Sequence, residues 1–190
     1  MSEEHTRIAC LGWGSLIWKQ EKLPVHSGWD EDGPELPVEF ARQSKRDKKI
    51  SLVICESSPR VRTFWALLNV VDMRAAKEAL AEREGIRNAN ARTVGFWDAA
   101  TGSAQGMENV AIADWAASRN LAGVVWTSLS CGFADRRGVM PRGEEIVSYL
   151  RTLEGTDLAV AREYVCKTRP QIDTPYRRLI EETLKWTYLP

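Results

Sequence analysis

Between Ile8 and Trp18 the chain reads Ile-Ala-Cys-Leu-Gly-Trp-Gly-Ser-Leu-Ile-Trp, and this stretch leaves few folds open. By length and composition the apolar run Ile8 to Leu11 is a short buried strand. It breaks at Gly12 and Gly14, with Trp13 between them and Ser15 after. Glycines there allow positive φ and let a ligand approach the main chain closely. Successive N–H groups in such a turn can form a concave site for an anion or a carbonyl. Leu16 to Trp18 then return the chain to the core. Gly12, Trp13, Gly14, Ser15 and Leu16 are therefore candidate binding residues. The same spacing also describes a plain tight turn. It is not a dinucleotide fingerprint, since no third glycine and no helix follow, and the Gly-Lys-Ser/Thr ending of a phosphate loop is missing.

The 190 residues suit a single domain, 1–190, with a helical C-terminal part at 141–190. A chain of that length buries a sizeable core without disulfides or metal. Lys+Arg and Asp+Glu balance at 26 each, so no global field favours nucleic acid or a membrane surface. Cys10, Cys55, Cys131 and Cys166 are widely spaced and form no Cys-x-x-Cys pair. Three of them, in apolar surroundings, read as small core residues. With no signal peptide and no apolar run long enough to span a bilayer, the expected location is the cytoplasm. Eight tryptophans suit a large aromatic core. Trp13 is expected to stand apart, held at the loop by its glycine neighbours.

Along the chain, Met1 to Thr6 reads as a polar tail and Lys19 to Pro37, with its prolines and glycines, as a loop or flap over the preceding turn. Val38 to Gln43 and Ile50 to Cys55 form an antiparallel hairpin across the polar turn Ser44 to Lys49. The basic cluster Arg42, Lys45, Arg46, Lys48 and Lys49 is interrupted by Asp47 and lacks aromatics, as in a solvated hairpin tip. Val61 to Val70 is a β-prone run. Val71, Ala75, Ala76, Ala79 and Leu80 recur at helical spacing up to Arg83, with a start marked at Asn69 to Asp72 and Gly85 as C-cap. Thr93 to Trp97 is a further strand, Asp98 to Gly106 a turn, and Met107 to Ile112 a strand. Asp114 to Arg119 is a short helix, Ala122 to Thr127 a strand, and Ser128 to Gly138 a small-residue loop. Pro141 opens a helix at Glu144 to Leu153 that Gly155 stops. Asp157 to Cys166 and Pro175 to Trp186 complete the helices, the last capped by Thr174 or Asp173. Strands first and helices last indicate an α+β fold: a curled, mixed, mostly antiparallel, barrel-like sheet with helices packed outside.

The chemistry-bearing residues are few. His5 and His26, in the tail and the proline-glycine loop, lie near no ligand set and supply no Ser-His-Asp or Cys-His arrangement. No metal or cofactor site is expected. A carboxylate is left as the catalytic group, and Glu84, at the end of the helix after the central strand, is the candidate. It faces the negative end of the helix dipole, a setting suited to proton exchange. Beside Glu78 and Glu82 it also reads as one more solvated charge.

Leu11-Gly12-Trp13-Gly14-Ser15-Leu16-Ile17-Trp18 resembles the Phe-Gly-Tyr-Gly-Ser-Leu signature of the gamma-glutamylcyclotransferase-like family. In that family the signature follows the first strand, and a catalytic glutamate stands after a helix, commonly in an Asp-Glu-x-Glu-Gly context. Ala81-Glu82-Arg83-Glu84-Gly85-Ile86 falls at the matching place. The resemblance runs from Ile8 to about Trp97, and Trp13 stands where the family has Tyr. It implies the family's α+β fold and a cofactor-free reaction on a γ-glutamyl amide or amine, glutathione-related compounds among them. The α-amine attacks its own γ-carbonyl, closing 5-oxoproline and expelling the amine partner. Glu84 would be the general acid and base, and N–H groups of Gly14, Ser15 and Leu16 would hold a carboxylate or oxyanion.

Three other readings remain. A non-catalytic module could bind a small amide against Trp13, and a protein-interaction domain could use exposed tryptophans. A hydrolase could use Cys131 in its Ser-Cys-Gly-Phe loop, although it lacks a nearby histidine. Arg42, Ser44, Glu39, Arg62 and Thr127 are further residues that could line a site.

Overall fold

The structure, a computed structural model, describes residues 7–26 and 28–190. The expected tail Met1 to Thr6, with His5, lies outside them. In chain order the elements are β1 (Ile8–Gly12), β2 (Glu35–Leu36), β3 (Val38–Gln43), β4 (Ile50–Ile54), β5 (Val61–Arg62), β6 (Phe64–Leu67), α1 (Met73–Glu84), β7 (Val94–Asp98), β8 (Ala104–Gln105), α2 (Asn109–Ser118), β9 (Gly123–Thr127), α3 (Gly143–Arg151), α4 (Gly155–Lys167) and α5 (Pro175–Leu184). The fold is α+β, with an open five-stranded sheet, and no sheet among the described residues closes into a barrel. The residues group into two compact units interleaved along the chain. Of the described residues, one comprises those of 7–12, 19–34 and 62–129, the other 13–18, 35–61 and 130–190.

The first unit is built on a sheet of order β6-β1-β9-β7-β8. Every residue of β1 is buried, as its unbroken apolar sequence requires of a strand flanked on both edges. It pairs antiparallel with β6 (Cys10↔Ala66) and parallel with β9 (Ala9↔Val124), and β7 pairs antiparallel with β9 and with β8. Gly95 stands opposite Trp126, and a Cβ there would enter the indole ring. The fully buried Trp126 lies over that gap and donates its Nε1–H to the Met107 carbonyl at 3.1 Å. Helix α1 packs on β1, β7 and β9, and α2 on β7, β8 and β9.

The segment expected as a flap runs instead along the outer edge of β6. The N–H of His26 donates to Leu67 (2.8 Å), Asp30 bridges Trp65, and Gly33 donates to Thr63 (3.0 Å). A free strand edge is thereby covered. The long run expected at Val61 to Val70 is divided at buried Thr63, whose hydroxyl donates to the Pro34 carbonyl at 2.7 Å.

Two expectations in this unit are corrected. Val71 is 81% exposed and precedes α1, which starts after Asp72, whose carboxylate accepts from the Ala75 N–H. Met107 to Ile112 is not a strand: its second half opens α2. Ile112 and Ala116, one turn apart, face inward while Val110 points out, 71% exposed. That is helical spacing, and the alanines of 111–117 favour it.

The second unit holds the antiparallel β3–β4 hairpin, with Val38 opposite Ile54 and a bulge between Phe40 and Arg42, together with α3, α4 and α5. Ile146, Val147 and Leu150 form the buried stripe of α3, and α5 packs on α3 and β3. Thr174 caps α5 by accepting from Arg177 N–H at 3.2 Å. Arg177, only 3% exposed, reaches back to the end of α4. Its guanidinium donates to the carbonyls of Thr168 (3.0 Å), Arg169 (2.6 Å) and Ile172 (3.0 Å), and to Glu181 (2.8 Å). Thr168 is the C-cap of α4 and Arg169 and Ile172 lie in the connection to α5, so the cation supplies donors to carbonyls beyond the end of a helix, where cations are favoured. Gly155 does not stop α3. At φ 55° it begins α4, and α3 ends at Arg151 with Thr152 as its cap.

Candidate functional site

In the first unit the expected helix end is built as the sequence suggests. Gly85 takes the left-handed conformation (φ 68°) and donates its N–H to the Ala81 and Glu82 carbonyls, closing α1. Glu82 turns outward to an exposed pair with Lys22 at 2.6 Å. Glu84 does not: its side chain is 18% exposed and pairs with Arg83 at 2.8 Å. The Arg83 guanidinium also donates through Nε (3.2 Å) and Nη2 (2.7 Å) to the Lys19 carbonyl. A single cation thus anchors the Glu84 carboxylate to Lys19, the residue that follows the Gly12-to-Trp18 stretch in the chain. Glu84 also acts electrostatically on β1. Burial first, and then the Glu84 charge, push the Cys10 thiol far above its ordinary range. Glu84 is therefore a fixed, mostly buried carboxylate rather than a solvated one.

Gly12 ends β1, and its Cα is overlaid by the Trp29 ring. A Cβ at Gly12 would come within 2.7 Å of the Trp29 Cζ3. The Trp29 indole N–H is buried and has no acceptor. Buried donors are nearly always satisfied, so this one marks a place where a ligand oxygen could bind. Trp29 was not singled out in the sequence, because nothing in a proline-glycine loop distinguishes one aromatic from the other tryptophans. Arg83 was likewise missed, as one charge among many at a helix end.

The remaining loop candidates belong to the second unit. Trp13 is 4% exposed and donates its indole N–H to the Leu52 carbonyl at 3.3 Å, so it joins the core rather than standing apart from it. Gly14 is also buried, and the Tyr164 hydroxyl occupies the space a side chain would need. That hydroxyl accepts the Leu52 N–H at 3.2 Å. Ser15 is half-buried and Leu16 buried. Ile17 N–H closes the turn on the Gly14 carbonyl at 3.1 Å. Neither Gly12 nor Gly14 has positive φ. Both are required by close approach, and in each case it is an aromatic side chain of this chain that approaches.

Other titratable groups have structural roles. Glu39, 1% exposed, accepts from the Phe40 N–H (2.8 Å), the Tyr176 N–H (3.2 Å) and the Thr174 hydroxyl. Burial raises its carboxyl above the ordinary range despite these donors, and it holds the start of α5. Asp32 is held below its usual range by Trp65 and Arg119. The Arg42 guanidinium donates to the Ser130 carbonyl. A shallow depression of about 530 Å³, lined by Gln43, Phe133, Arg136, Glu145 and Tyr149 among others, contains none of the expected site residues. Among the described residues no group of three or more His, Cys, Asp or Glu could hold a metal ion, and no helix is long and apolar enough to cross a membrane.

Comparison with family models, with curated proteins and with solved structures found no match for this chain.

Proposed function

We propose that the chain is an acyl-transfer enzyme of the gamma-glutamylcyclotransferase kind, using Glu84 as its general acid and base. The carrying observation is that Glu84 is mostly buried and held by Arg83, itself fixed to Lys19, whereas Glu82 two residues earlier is solvated. A solvated role would have given both the same setting. The benzo edge of Trp29 covers Gly12, and the indole N–H on the same ring, buried without an acceptor, supports a ligand oxygen beside that ring. The family's curled, barrel-like sheet belongs to the same proposal.

The reaction needs little from the protein. A γ-glutamyl substrate supplies its own nucleophile, so binding has only to hold it in the cyclising conformer. Glu84 takes a proton from the α-ammonium, and the freed amine attacks the γ-carbonyl. The new C–N bond closes 5-oxoproline as the old one breaks, and Glu84 returns the proton to the departing nitrogen. A donor near Gly12 opposes the charge that develops on the carbonyl oxygen. No cofactor enters the scheme.

The test is release of 5-oxoproline from a panel of γ-glutamyl dipeptides and γ-glutamyl amines. Turnover is expected for at least one class, with Glu84→Gln lowering it by about 10³-fold while the protein stays folded. Binding of a panel compound without release would favour a non-catalytic module instead.

A further inference from the structure

Lined by the end of β3, the loop after β9 and α3, the second unit holds a depression of about 530 Å³, a volume within the range of small-molecule sites. Its aromatic part is Phe133 and Tyr149, set edge to face with centroids 5.5 Å apart. The Tyr149 hydroxyl donates to the Lys48 carbonyl at 2.6 Å, and the Arg136 guanidinium lies over Phe133, 5.2 Å from the ring centroid. One carboxylate organises the charges. Glu145 accepts from Arg136 Nη2 through one oxygen (2.6 Å), and its other oxygen accepts the Arg142 N–H (2.8 Å) and lies 3.6 Å from the Arg142 Nε. Apart from Glu145, neither guanidinium has an acceptor among the described residues. Gln43 accepts the Ala134 N–H at 2.8 Å through its amide oxygen, and its amide nitrogen is likewise left without an acceptor among them. Asp135 and Glu144, both exposed, form no ion pair among the described residues.

We propose that this depression binds a free α-amino acid with an aromatic side chain. The ligand carboxylate takes the N–H groups of Arg136 and Arg142 that Glu145 leaves unused, together with the Gln43 amide. Its ammonium lies against Asp135 or Glu144, and its ring packs on Phe133 and Tyr149. Arg136 is held on one edge by Glu145 and on one face by Phe133. A guanidinium fixed in that way loses little freedom when it takes a further acceptor.

Charge decides the class of ligand. The lining carries two guanidinium groups against three carboxylates. A phosphate or other polyanion would meet a net negative wall, and a simple cation would meet two arginines with donors unused. A ligand with one charge of each sign answers both sets at once. These contacts stand in partly exposed surroundings, Arg136 at 44% and Arg142 at 80%, so each contributes weakly. The expected dissociation constant is about 1 mM.

The test follows the backbone amide and arginine Nε–H signals of the full chain by NMR while phenylalanine is added up to about 10 mM. Saturable shifts are expected at residues 133–136 and 142–149. N-acetylphenylalanine lacks the ammonium and phenylalaninamide the carboxylate, and each should bind about two- to five-fold more weakly. Alanine, without the ring, should also bind more weakly. Arg142→Gln changes an exposed side chain; it should weaken phenylalanine by a similar factor and leave phenylalaninamide unaffected. No saturable shift, shifts confined to other segments, or equal binding of a probe that lacks either charge would overturn the proposal. The comparison of probes on the wild-type chain decides even if the variant fails to fold, and no arm depends on the cyclotransferase reading.

Discussion

Gly14 and the Tyr164 hydroxyl compete for one volume. Gly14→Ala is therefore expected to cost about 1–3 kcal/mol by overpacking, measured by urea unfolding. Tyr164→Phe frees that volume but removes the acceptor of the Leu52 N–H, so alone it too should destabilise. Combined, the two changes should cost less than the sum of their separate effects, a positive coupling that a double-mutant cycle reads. Additive costs would mean that the contact is not the reason for the glycine. The sequence made Gly14 visible but not its cause. A glycine needed for left-handed backbone and one needed for close approach look alike until the approaching ring, here 150 residues away in sequence (164 − 14), is known. Glu84 was more legible, because Gly85 marked the helix end and so the place of the carboxylate. Its burial was not, since Arg83 and Lys19 meet only in the folded chain.

Among the elements, α3 shows how a local charge pattern becomes a pH response. Glu145 accepts the Arg142 N–H at 2.8 Å and pairs with Arg136 at 2.6 Å. The Arg142 N–H first, and then Arg136, hold its carboxyl at about 2, below its usual 4.5. A lowered carboxyl stabilises the fold above the unfolded value and loses that contribution as pH falls through the folded one. Glu145→Gln should thus lower Tm at pH 6, and its difference from wild type should shrink as pH falls from 4.5 towards about 2. A pH-independent difference would reject the electrostatic origin. At the junction of α4 and α5, Arg177→Lys should cost about 3 kcal/mol, because one ammonium cannot serve three carbonyls and Glu181 in the fork geometry of a guanidinium; wild-type stability on chemical denaturation would contradict this. The β3–β4 hairpin and the three C-terminal helices were readable because alternation, caps and prolines act over a few residues. An apolar, alanine-rich run such as 107–117 has no such punctuation, and only the inward placement of Ile112 and Ala116 decides it.

Across the whole chain, the two compact units draw on segments far apart in sequence. Composition carries no trace of that grouping, since each unit mixes apolar and charged segments, and only long-range packing sorts them. The eight tryptophans gain individual meaning at this scale. Trp126 fills the gap left by Gly95, Trp13 is tied to β4, and Trp29 lies over Gly12 with its N–H unanswered. Under the function proposed above, the mostly buried Glu84 carboxylate and that unanswered donor would hold and cyclise a γ-glutamyl compound. The decisive measurement is 5-oxoproline release by the wild-type chain and by Glu84→Gln across γ-glutamyl dipeptides and amines. Release by the wild type, reduced about 10³-fold in a folded variant, is the expected result. Equal release by both proteins, or none from any member of the panel, would contradict the role given to Glu84.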